Sequence, residues 1–479
     1  MTTAPSGKTY TTTIGLEIHA ELKTASKMFC ACKNDPDEEK PNVNVCPICM
    51  GHPGTLPVIN KKAVEHVIKI GHAVGAKIAD FTEWDRKNYF YPDIPKAYQI
   101  SQYAHPLITG GKLAGVELTR IHLEEDTAKS SHDKGDFSLV DFNRSSLPLM
   151  ELVTEPVIHD AETASRFAKE LQLLLRYVGA GEANMEKGEM RVEANISVSD
   201  TDKFGTKVEV KNLNSFKSVE RSIAYEIERH IDLIERGEKV VQETRGFDES
   251  TGKTFSQRIK EDSHDYRYFP DPDLPKLFIS EIPEFAADVI KKQLPELPWE
   301  KRARYKSVFG MKDEDAEMFV QDEDFRKFFE EAVGVLGNDA DLIKLAINYT
   351  TSDIAGFVKK FTDKGIVIST KNFSELITMI KAGELSSRSA KDILAMIWDG
   401  SEGSPKVIAE KNGMIQKNDP EALDKMIREL MSANPNVVAD FKAGKQVALQ
   451  FFIGQIMKLT KGAVNPQIAQ EAVKKLLSE

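Results

Sequence analysis

The sequence lacks the features that mark several large protein classes. It has only 4 cysteines in 479 residues, so it is not a small domain held together by disulfides. No apolar run approaches the roughly 18 residues of a membrane-spanning helix, and the first residues lack the apolar core of a signal peptide. Neither the phosphate loop G-x-x-x-x-G-K-[ST] nor the dinucleotide motif G-x-G-x-x-G occurs. We therefore expect a globular cytoplasmic protein without a common nucleotide-binding loop.

The chain also lacks an excess of basic residues. Lys and Arg number 64 against 75 Asp and Glu, which gives a net charge of −11. This balance excludes a protein that simply coats nucleic acid, so any contact with nucleic acid has to be local. The stretch 410–479 carries a small positive excess, and we expect an RNA-binding tail there. Its candidate contacts are Lys442, Lys445, Lys458 and Lys461.

The length corresponds to roughly three domains at about 150 residues each. Apolar residues recur at helical spacing through the back half, as in 323–336 and 341–361, whereas the front half mixes strand and helix patterns. Proline-rich and glycine-rich stretches punctuate the chain. The sequence thus predicts an α+β fold. Its expected divisions are a mixed domain over 1–295, an all-helical domain over 296–409 and a small helical tail over 410–479.

Two segments of the front half alternate strictly between apolar and polar residues. In 14–22 the polar face carries Glu17 and His19, and in 190–198 it carries Arg191 and Glu193. Period-two alternation is typical of a strand with one buried face. We expect further strands around 121–124, 147–151 and 207–211, and helices over 161–178 and 219–235.

All the cysteines lie within twenty residues, as Cys30-Ala-Cys32 and Cys46-Pro-Ile-Cys49. Two close pairs at this distance suit a tetrahedral structural zinc site, a knuckle over 30–49. The alternative is four buried or disulfide-bonded cysteines, although disulfides are the weaker explanation in a reducing compartment. Four thiolates leave no open position on the metal, so a catalytic zinc is not expected.

Carboxylates and histidines recur on the polar faces of several expected strands. Glu17 and His19 share one face, His122 and Glu124 share another, and Glu151 comes from a third segment. The plain alternative is an antiparallel sheet with one solvated face. Together, these side chains indicate a concave sheet that gathers oxygen ligands for Mg²⁺. If the site takes ATP, the basic residues that could reach its phosphates are Arg191, Lys207 and Lys211.

Two aromatic segments, 86–102 and 265–272, combine tyrosines with arginine, lysine and proline. They are either packed loops with proline turns or loops that line a substrate site. Tyrosine and arginine side chains suit the base and sugar ends of an RNA.

Several longer segments resemble a known family. In chain order they are IGLEIHAELKT, WDRKNYFYPD, PKAYQISQ, RIHLEEDTAKS, VDFNRSSLPLMELVTEP, EVKNLNSF, QETRGFDESTGKT, DYRYFPDPD and, near the C-terminus, GQIMKLTKGAVNPQ. They are similar to the B subunits of the tRNA-dependent amidotransferases (the GatB/GatE family, bacterial GatB type). The resemblance implies a cradle domain related to glutamine synthetase, then a helical domain and a YqeY-like tail.

The resemblance also implies an activity. Such a subunit uses ATP and Mg²⁺ to activate the side-chain carboxylate of Glu-tRNA(Gln), Asp-tRNA(Asn) or both, and ammonia then replaces phosphate. The residues that match the family's acidic ring for Mg²⁺ are Glu17, His19, Glu124, Glu125 and Glu151. Arg191 and Glu193 are candidates for phosphate and second-metal contacts.

The source of ammonia has to lie outside this chain. It has no amidase signature with paired serines and a lysine, and its only cysteines are the zinc candidates. The resemblance implies an amidase A subunit and a small C subunit as partners, with ammonia passing through a tunnel. Two other hypotheses stay open here: a non-catalytic zinc-containing tRNA-binding subunit, and a free-standing ligase similar to glutamine synthetase.

Overall fold

The structure is a computed structural model. It describes residues 2–4, 6–132, 135–259, 266–362, 364–416, 420–442, 447–460, 464 and 466–478. The chain divides into two compact units, Met1–Pro298 and Trp299–Glu479. The first contains the strands and the second is helical, so the predicted α+β class is confirmed.

The strands of the first unit form one large sheet and two small ribbons. The strands are β1 (Thr2–Thr3), β2 (Thr9–Glu21), β3 (Lys77–Ile78), β4 (Phe81–Thr82), β5 (Asp85–Asn88), β6 (Tyr98–Ser101), β7 (Ile108–Thr109), β8 (Lys112–Leu113), β9 (Val116–Glu125), β10 (Lys129–Ser131), β11 (Leu139–Asp141), β12 (Pro148–Thr154), β13 (Met190–Ser199), β14 (Val208–Leu213), β15 (Glu243–Asp248), β16 (Lys253–Ile259), β17 (Phe269–Pro270) and β18 (Leu277–Phe278). Their order across the large sheet is β16-β15-β14-β13-β2-β12-β9-β6-β5-β17, and every pair along it is antiparallel except β14 with β15.

The helices of the first unit include two long amphipathic ones that cover the sheet. They are α1 (Lys61–Ala73), α2 (Ala161–Tyr177), α3 (Phe216–Glu235) and α4 (Ala287–Lys291), with 3₁₀ turns at Ile279–Glu281 and Pro283–Phe285. Asp160 and Ser215 cap α2 and α3 by accepting hydrogen bonds from first-turn amides. The two helices pack against each other, and α3 also contacts β13, β14 and β16. One face of the sheet is therefore covered by helices.

The long strand β2 runs through the middle of the sheet. Its even-numbered residues, among them Leu16, Ile18 and Ala20, are buried, whereas its odd-numbered residues from Thr11 on are half-buried. Strands β13 and β12 pair with its two edges, although they lie far from it in the sequence. The predicted alternation is confirmed, and it leaves the polar face of β2 opposite the side that carries the core.

The second unit is built from helices, with one irregular turn. They are α5 (Pro298–Phe309), α6 (Asp313–Gln321), α7 (Glu323–Leu336), α8 (Ala340–Asn348), α9 (Ala355–Lys360), α10 (Thr370–Lys381), α11 (Ser387–Trp398), α12 (Pro405–Lys411), α13 (Pro420–Ala433), α14 (Pro435–Lys442), α15 (Val447–Leu459) and α16 (Pro466–Ser478). A π-helical turn, Tyr349–Ile354, joins α8 to α9. In the described part of the chain, the helices are all too short or too polar to cross a membrane.

The last four helices have a core of their own. Buried side chains between Leu423 and Leu477, such as Ile427, Phe452 and Val473, contact one another in one cluster. The expected boundary at residue 410 falls within α12, which packs against α10 and α11. The three-domain division of the chain stays a prediction.

Candidate active site and metal centres

The strand register aligns chemistry-bearing side chains across four neighbouring strands. Glu151 of β12 is paired with His19 of β2 on one side and with His122 of β9 on the other, and His19 is paired with Arg191 of β13. Residues that pair directly across strands lie on the same face of a sheet. On the polar face, one row across these four strands therefore contains Arg191, His19, Glu151 and His122.

Carboxylates and imidazoles meet closely around this row. His19 Nε2 lies 3.4 Å from Glu124 Oε1, 3.5 Å from Glu151 Oε2 and 4.0 Å from Glu17 Oε1. His122 Nε2 lies 3.4 Å from Glu151 Oε2. These five residues, Glu17, His19, His122, Glu124 and Glu151, form what we call the carboxylate–histidine cluster. Three strands that are distant in sequence thus build one polar centre.

Burial and mutual charge shift the pKa values within the cluster. Burial and the charges of Glu151 and Glu193 raise the pKa of Glu17 to about 7. Burial opposes protonation of His19, but the hydrogen bond with Glu151 and the charge of Glu124 raise its pKa to about 9. Burial also raises the pKa of Glu124. Acidic groups packed this tightly repel one another, and a bound cation would relieve that repulsion.

The arrangement fits a divalent cation. Donor atoms of Glu17, His19 and Glu151 all lie within 4.8 Å of one another, and so do those of His122, Glu124 and Glu151. Ligands around an octahedral ion with bonds of about 2.1 Å are separated by about 3 to 4 Å, which matches the distances between these side chains. Mg²⁺ prefers oxygen donors. Each set contains two glutamates, Glu17 with Glu151 in one and Glu124 with Glu151 in the other, together with one histidine.

Two basic residues complete the centre and were not selected from the sequence. Arg120 donates to Glu151 Oε1 at 3.2 Å. The ammonium of Lys87 on β5 lies 5.0 Å from the ring centre of Tyr266. Burial lowers the pKa of Lys87, but the charge of Glu124 and of other neighbours outweighs burial and raises it. Both residues line a cavity of about 320 Å³ together with Glu17 and Glu151. Arg120 could have been found, because it lies two and four residues before His122 and Glu124 on the same strand face.

Other predicted residues lie apart from the cluster. Glu125 does not join it, because successive side chains of β9 point to opposite faces. Its carboxylate instead pairs with Lys96 and accepts the backbone N–H of Ile100. Lys207 is exposed and precedes β14.

Arg191 and Glu193 of β13 each have a charged partner within the protein. Arg191 donates to Asp126 Oδ1 at 3.0 Å, and Arg144 donates to the other oxygen of Asp126 at 2.6 Å. Glu193 accepts from Lys211 at 2.8 Å, and Lys211 lines the cavity. Of the three basic residues predicted to reach phosphates, the described cavity lining thus includes Lys211. Sequence reasoning missed the Asp126–Arg144 pair, which no local pattern indicates.

The four cysteines form a second centre. Sγ atoms of Cys30, Cys32, Cys46 and Cys49 lie within 4.8 Å of one another. The Sγ atoms of Cys46 and Cys49 are 3.9 Å apart, close to the separation of about 3.8 Å that tetrahedral bonds of about 2.3 Å require. The cysteines are not joined by disulfides. The spacing therefore predicted a cluster that the fold brings together and that could hold a metal ion.

A buried cation adjoins this cluster. Lys27 is fully buried, and its ammonium lies 4.0 Å from Cys49 Sγ and donates to the carbonyl of Phe142. The hydrogen bond from Cys30 and the charge of Lys27 are among the effects that lower the pKa of Cys49 to about 5, although burial opposes them. A thiolate, not a thiol, is the form that binds metal.

The predicted tail lysines are only partly described. Lys458 is exposed on α15, and Lys442 ends α14. Lys445 and Lys461 lie outside the described residues. The RNA-binding role of these lysines stays a prediction.

Comparison with known proteins identifies the family. Residues 12–283 match the family model described as the GatB/GatE catalytic domain, and residues 327–477 match a GatB domain of the YqeY type. Proteins named as the B subunit of an aspartyl/glutamyl-tRNA(Asn/Gln) amidotransferase are similar over their whole length. The one from Crocosphaera subtropica is 43% identical over 100% of both chains. The one from Persephonella marina is 43% identical, with 97% of this chain and 98% of the relative covered.

These matches confirm the resemblance and the predicted order of a sheet-rich catalytic domain, helices and a YqeY-type C-terminal domain. The carboxylate–histidine cluster and the cysteine cluster both lie within the part matched by the catalytic-domain model. The chain therefore belongs to the family of the B subunits of aspartyl/glutamyl-tRNA(Asn/Gln) amidotransferases, and it carries that family's catalytic domain.

Proposed function

We propose that this chain activates and amidates the side-chain carboxylate of Glu-tRNA(Gln), Asp-tRNA(Asn) or both. The observation that carries the proposal is the carboxylate–histidine cluster at the wall of a cavity that also contains Lys87 and Arg120. A cavity with acidic and basic walls suits a substrate made of phosphates, which need a metal ion and cations together.

A carboxylate is too poor an electrophile for ammonia and has to be activated first. In the proposed reaction the side-chain oxygen attacks the terminal phosphorus of ATP, which releases ADP and forms an acyl phosphate. Ammonia then attacks the acyl carbon, phosphate leaves, and the amide and a proton are produced. When bound, Mg²⁺ would neutralise the phosphate charges. Glu17, Glu124 and Glu151, together with His19, would hold it.

The neighbouring residues have supporting parts in this proposal. Arg120 contacts one oxygen of the Glu151 carboxylate and the two imidazoles lie near the other, so together they hold it in place. Lys87 and Lys211 bring positive charge into the same cavity and would contact the phosphates of ATP. Arg191 would support the site through Asp126, since that carboxylate is its partner in the fold.

Two further inferences belong to the same proposal. The cysteine cluster would hold a structural Zn²⁺, because four thiolates at tetrahedral spacing are its preferred donors. Ammonia would come from an amidase A subunit assisted by a small C subunit, because the chain carries no glutaminase nucleophile of its own. The YqeY-type tail would bind the tRNA through exposed lysines such as Lys458.

Hydrolysis of ATP that depends on charged tRNA tests the proposal. The chain is assembled with its partner subunits, and phosphate release is measured with Glu-tRNA(Gln), Asp-tRNA(Asn) and the uncharged tRNAs. We expect release only with the charged forms and Mg²⁺. A complex that binds tRNA without such hydrolysis would be a scaffold and would overturn the proposed activity.

A further inference from the structure

A row of tyrosines starts at the cavity beside the carboxylate–histidine cluster. We call it the tyrosine row, and its members in spatial order are Tyr103, Tyr268, Tyr266, Tyr89 and Tyr91. The ring centres of Tyr103 and Tyr268 are 4.1 Å apart with an angle of 8° between the planes. The later neighbours are 5.9 to 6.2 Å apart and meet edge to face. Tyr103, Tyr266 and Tyr268 line the cavity itself.

The inner end of this row offers a flat apolar surface to a ligand. Tyr103 is 58% exposed although one face of its ring is stacked on Tyr268. Two residues earlier, the hydroxyl of Ser101 reaches Glu124 Oε2 at 3.3 Å. A planar group that stacked on Tyr103 would therefore lie next to the place where the proposed chemistry occurs.

Both sides of the stacked pair are held in place by polar contacts. The carboxylate of Asp85 accepts the backbone amides of Tyr103 and Ala104. The side-chain amide of Asn88 donates to the carbonyls of Tyr266 and Arg267. The platform is thus fixed before a ligand arrives, which lowers the entropic cost of stacking on it.

Arg86 ties the two segments together at a second point. Its guanidinium donates to Asp271 at 2.8 Å and to Asp273 at 3.0 Å, and it lies 4.3 Å from the ring centre of Tyr98. Strand β5 is thereby joined to the segment that carries Tyr268. A stacked tyrosine pair with such support is more than a chance surface contact.

The cavity indicates which planar group would stack there. A volume of about 320 Å³ is at the lower end of small-molecule sites, which span roughly 300 to 1,000 Å³. We expect a cavity of this size to take the phosphates and the aminoacyl group and to leave the attached bases at its rim. ATP and the 3′ end of a tRNA both carry adenine as that base.

We propose that Tyr103, backed by Tyr268, stacks the adenine ring of a substrate whose reacting end enters the cavity. The inference rests on the proposed function and adds a residue that positions the substrate. Stacking of a base on an aromatic side chain contributes on the order of 1–3 kcal/mol. Removal of the ring should therefore weaken binding roughly 5- to 150-fold, and a phenylalanine should preserve it.

The test measures binding and turnover separately on the full chain assembled with its partner subunits. Dissociation constants for ATP and for uncharged tRNA, and KM values for ATP and charged tRNA, are determined for wild type, Tyr103→Ala and Tyr103→Phe. Phe204→Ala is the matched control, because Phe204 is 74% exposed and is not among the described residues that line the cavity.

The two possible sources of adenine give different results. Weaker binding of ATP alone in Tyr103→Ala, rescued in Tyr103→Phe, would assign the platform to the nucleotide. Weaker binding of tRNA alone, with the same rescue, would assign it to the terminal adenosine. Unchanged affinity for both, or an equal loss in Phe204→Ala, would overturn the inference.

The same experiment keeps this inference apart from the proposed function. If wild type binds ATP and tRNA but charged tRNA stimulates no hydrolysis, the proposed activity fails while the stacking result still stands. If wild type turns over normally and Tyr103→Ala changes only kcat, the activity stands and the stacking role fails.

Discussion

The imidazole of His122 lies 3.4 Å from the carboxylate of Glu151, across the antiparallel pair of strands β9 and β12. His19 approaches the same carboxylate from the opposite strand, at 3.5 Å. Burial lowers the pKa of His122 to about 4 although the charge of Glu151 opposes this shift, so His122 is neutral at pH 7. Burial disfavours the charge of Glu151, but the hydrogen bond and charge of His19 and the charge of Arg120 lower its pKa. The carboxylate is therefore ionised and held in one place.

Loss of this carboxylate should abolish activation. In Glu151→Gln the amide cannot supply the negative charge that Arg120 and a cation require. We therefore expect the rate of phosphate release that depends on charged tRNA to fall at least 100-fold. This is roughly the loss caused by removing one such electrostatic contact. Glutamine hydrolysis by the partner subunit should persist. Glu155→Gln is the control, because Glu155 follows the same strand but contacts Thr119. Near-normal amidation by Glu151→Gln at limiting Mg²⁺ would contradict the assignment.

Removal of one cysteine should remove the metal. In Cys46→Ser we expect the zinc content to fall from about one ion per chain to near zero, because four thiolates are needed for a closed site. Elemental analysis of protein purified without chelator measures it. The melting temperature should fall as well, since metal binding contributes directly to folding. His52→Ala, which changes an exposed residue beside the knuckle, should keep the metal. Wild-type protein without zinc would refute the proposal.

The fold contains a buried carboxylate whose charge should make stability depend on pH. Glu226 of α3 is fully buried and accepts hydrogen bonds from Arg229 and Thr254, and Arg245 lies 3.2 Å away. Burial opposes its charge, but contacts with His230, Arg229 and Thr254 lower its pKa to about 2. A lowered folded-state pKa means that the stabilisation is complete above about pH 4.5 and is lost as the pH falls towards 2.

Glu226→Gln should therefore destabilise the first unit by about 3 kcal/mol at pH 7. Thermal unfolding of wild type and variant at pH 7 and pH 3 measures the effect, and the difference between them should shrink at pH 3. Glu228→Gln on the exposed side of the same helix should change little at either pH. A difference that stays constant between the two pH values would show that charge is not the cause.

The tail should contribute tRNA affinity through exposed lysines. Lys458, Lys474 and Lys475 are exposed on α15 and α16. Replacement of all three by alanine should weaken tRNA binding. A plot of log affinity against log salt concentration should also become less steep, by roughly one for each phosphate that is no longer neutralised. Lys371→Ala, an exposed lysine of α10, is the control. Unchanged affinity would move the tRNA-binding surface to another part of the chain.

Truncation tests the same point without point variants. A chain that ends at Gln416 keeps α12 on α10 and α11 and loses only helices that have their own core. It should fold, support glutamine hydrolysis by its partner and require far more tRNA for amidation. A truncated complex with wild-type KM for tRNA would remove the tail from the binding site.

Local sequence patterns predict only the part of the site that lies within single strands. Alternation in β2 and β13 correctly placed Glu17 with His19 and Arg191 with Glu193. It could not predict that β12 and β13 flank β2, because strand order depends on the fold as a whole. For that reason the sequence does not predict the ion pair between Arg191 and Asp126. The phosphate contact of Arg191 stays a prediction.

The helical half shows a similar limit. Apolar spacing over 341–361 predicted helix, and the structure has α8 and α9 there with a π-helical turn between them. The hydroxyls of Thr351 and Ser352 donate to carbonyls four residues earlier. Such side-chain bonds compete with the backbone ladder, and the periodicity of apolar residues does not reveal them.

The central claim is that this chain converts a side-chain carboxylate into an acyl phosphate before ammonia attacks. Glu-tRNA(Gln) or Asp-tRNA(Asn) carrying a heavy oxygen isotope in that carboxylate tests it most directly, with the complete complex, ATP, Mg²⁺ and glutamine. The account predicts that one labelled oxygen appears in inorganic phosphate for each amide formed, and that Glu151→Gln forms neither product. Amide formation with unlabelled phosphate would contradict it.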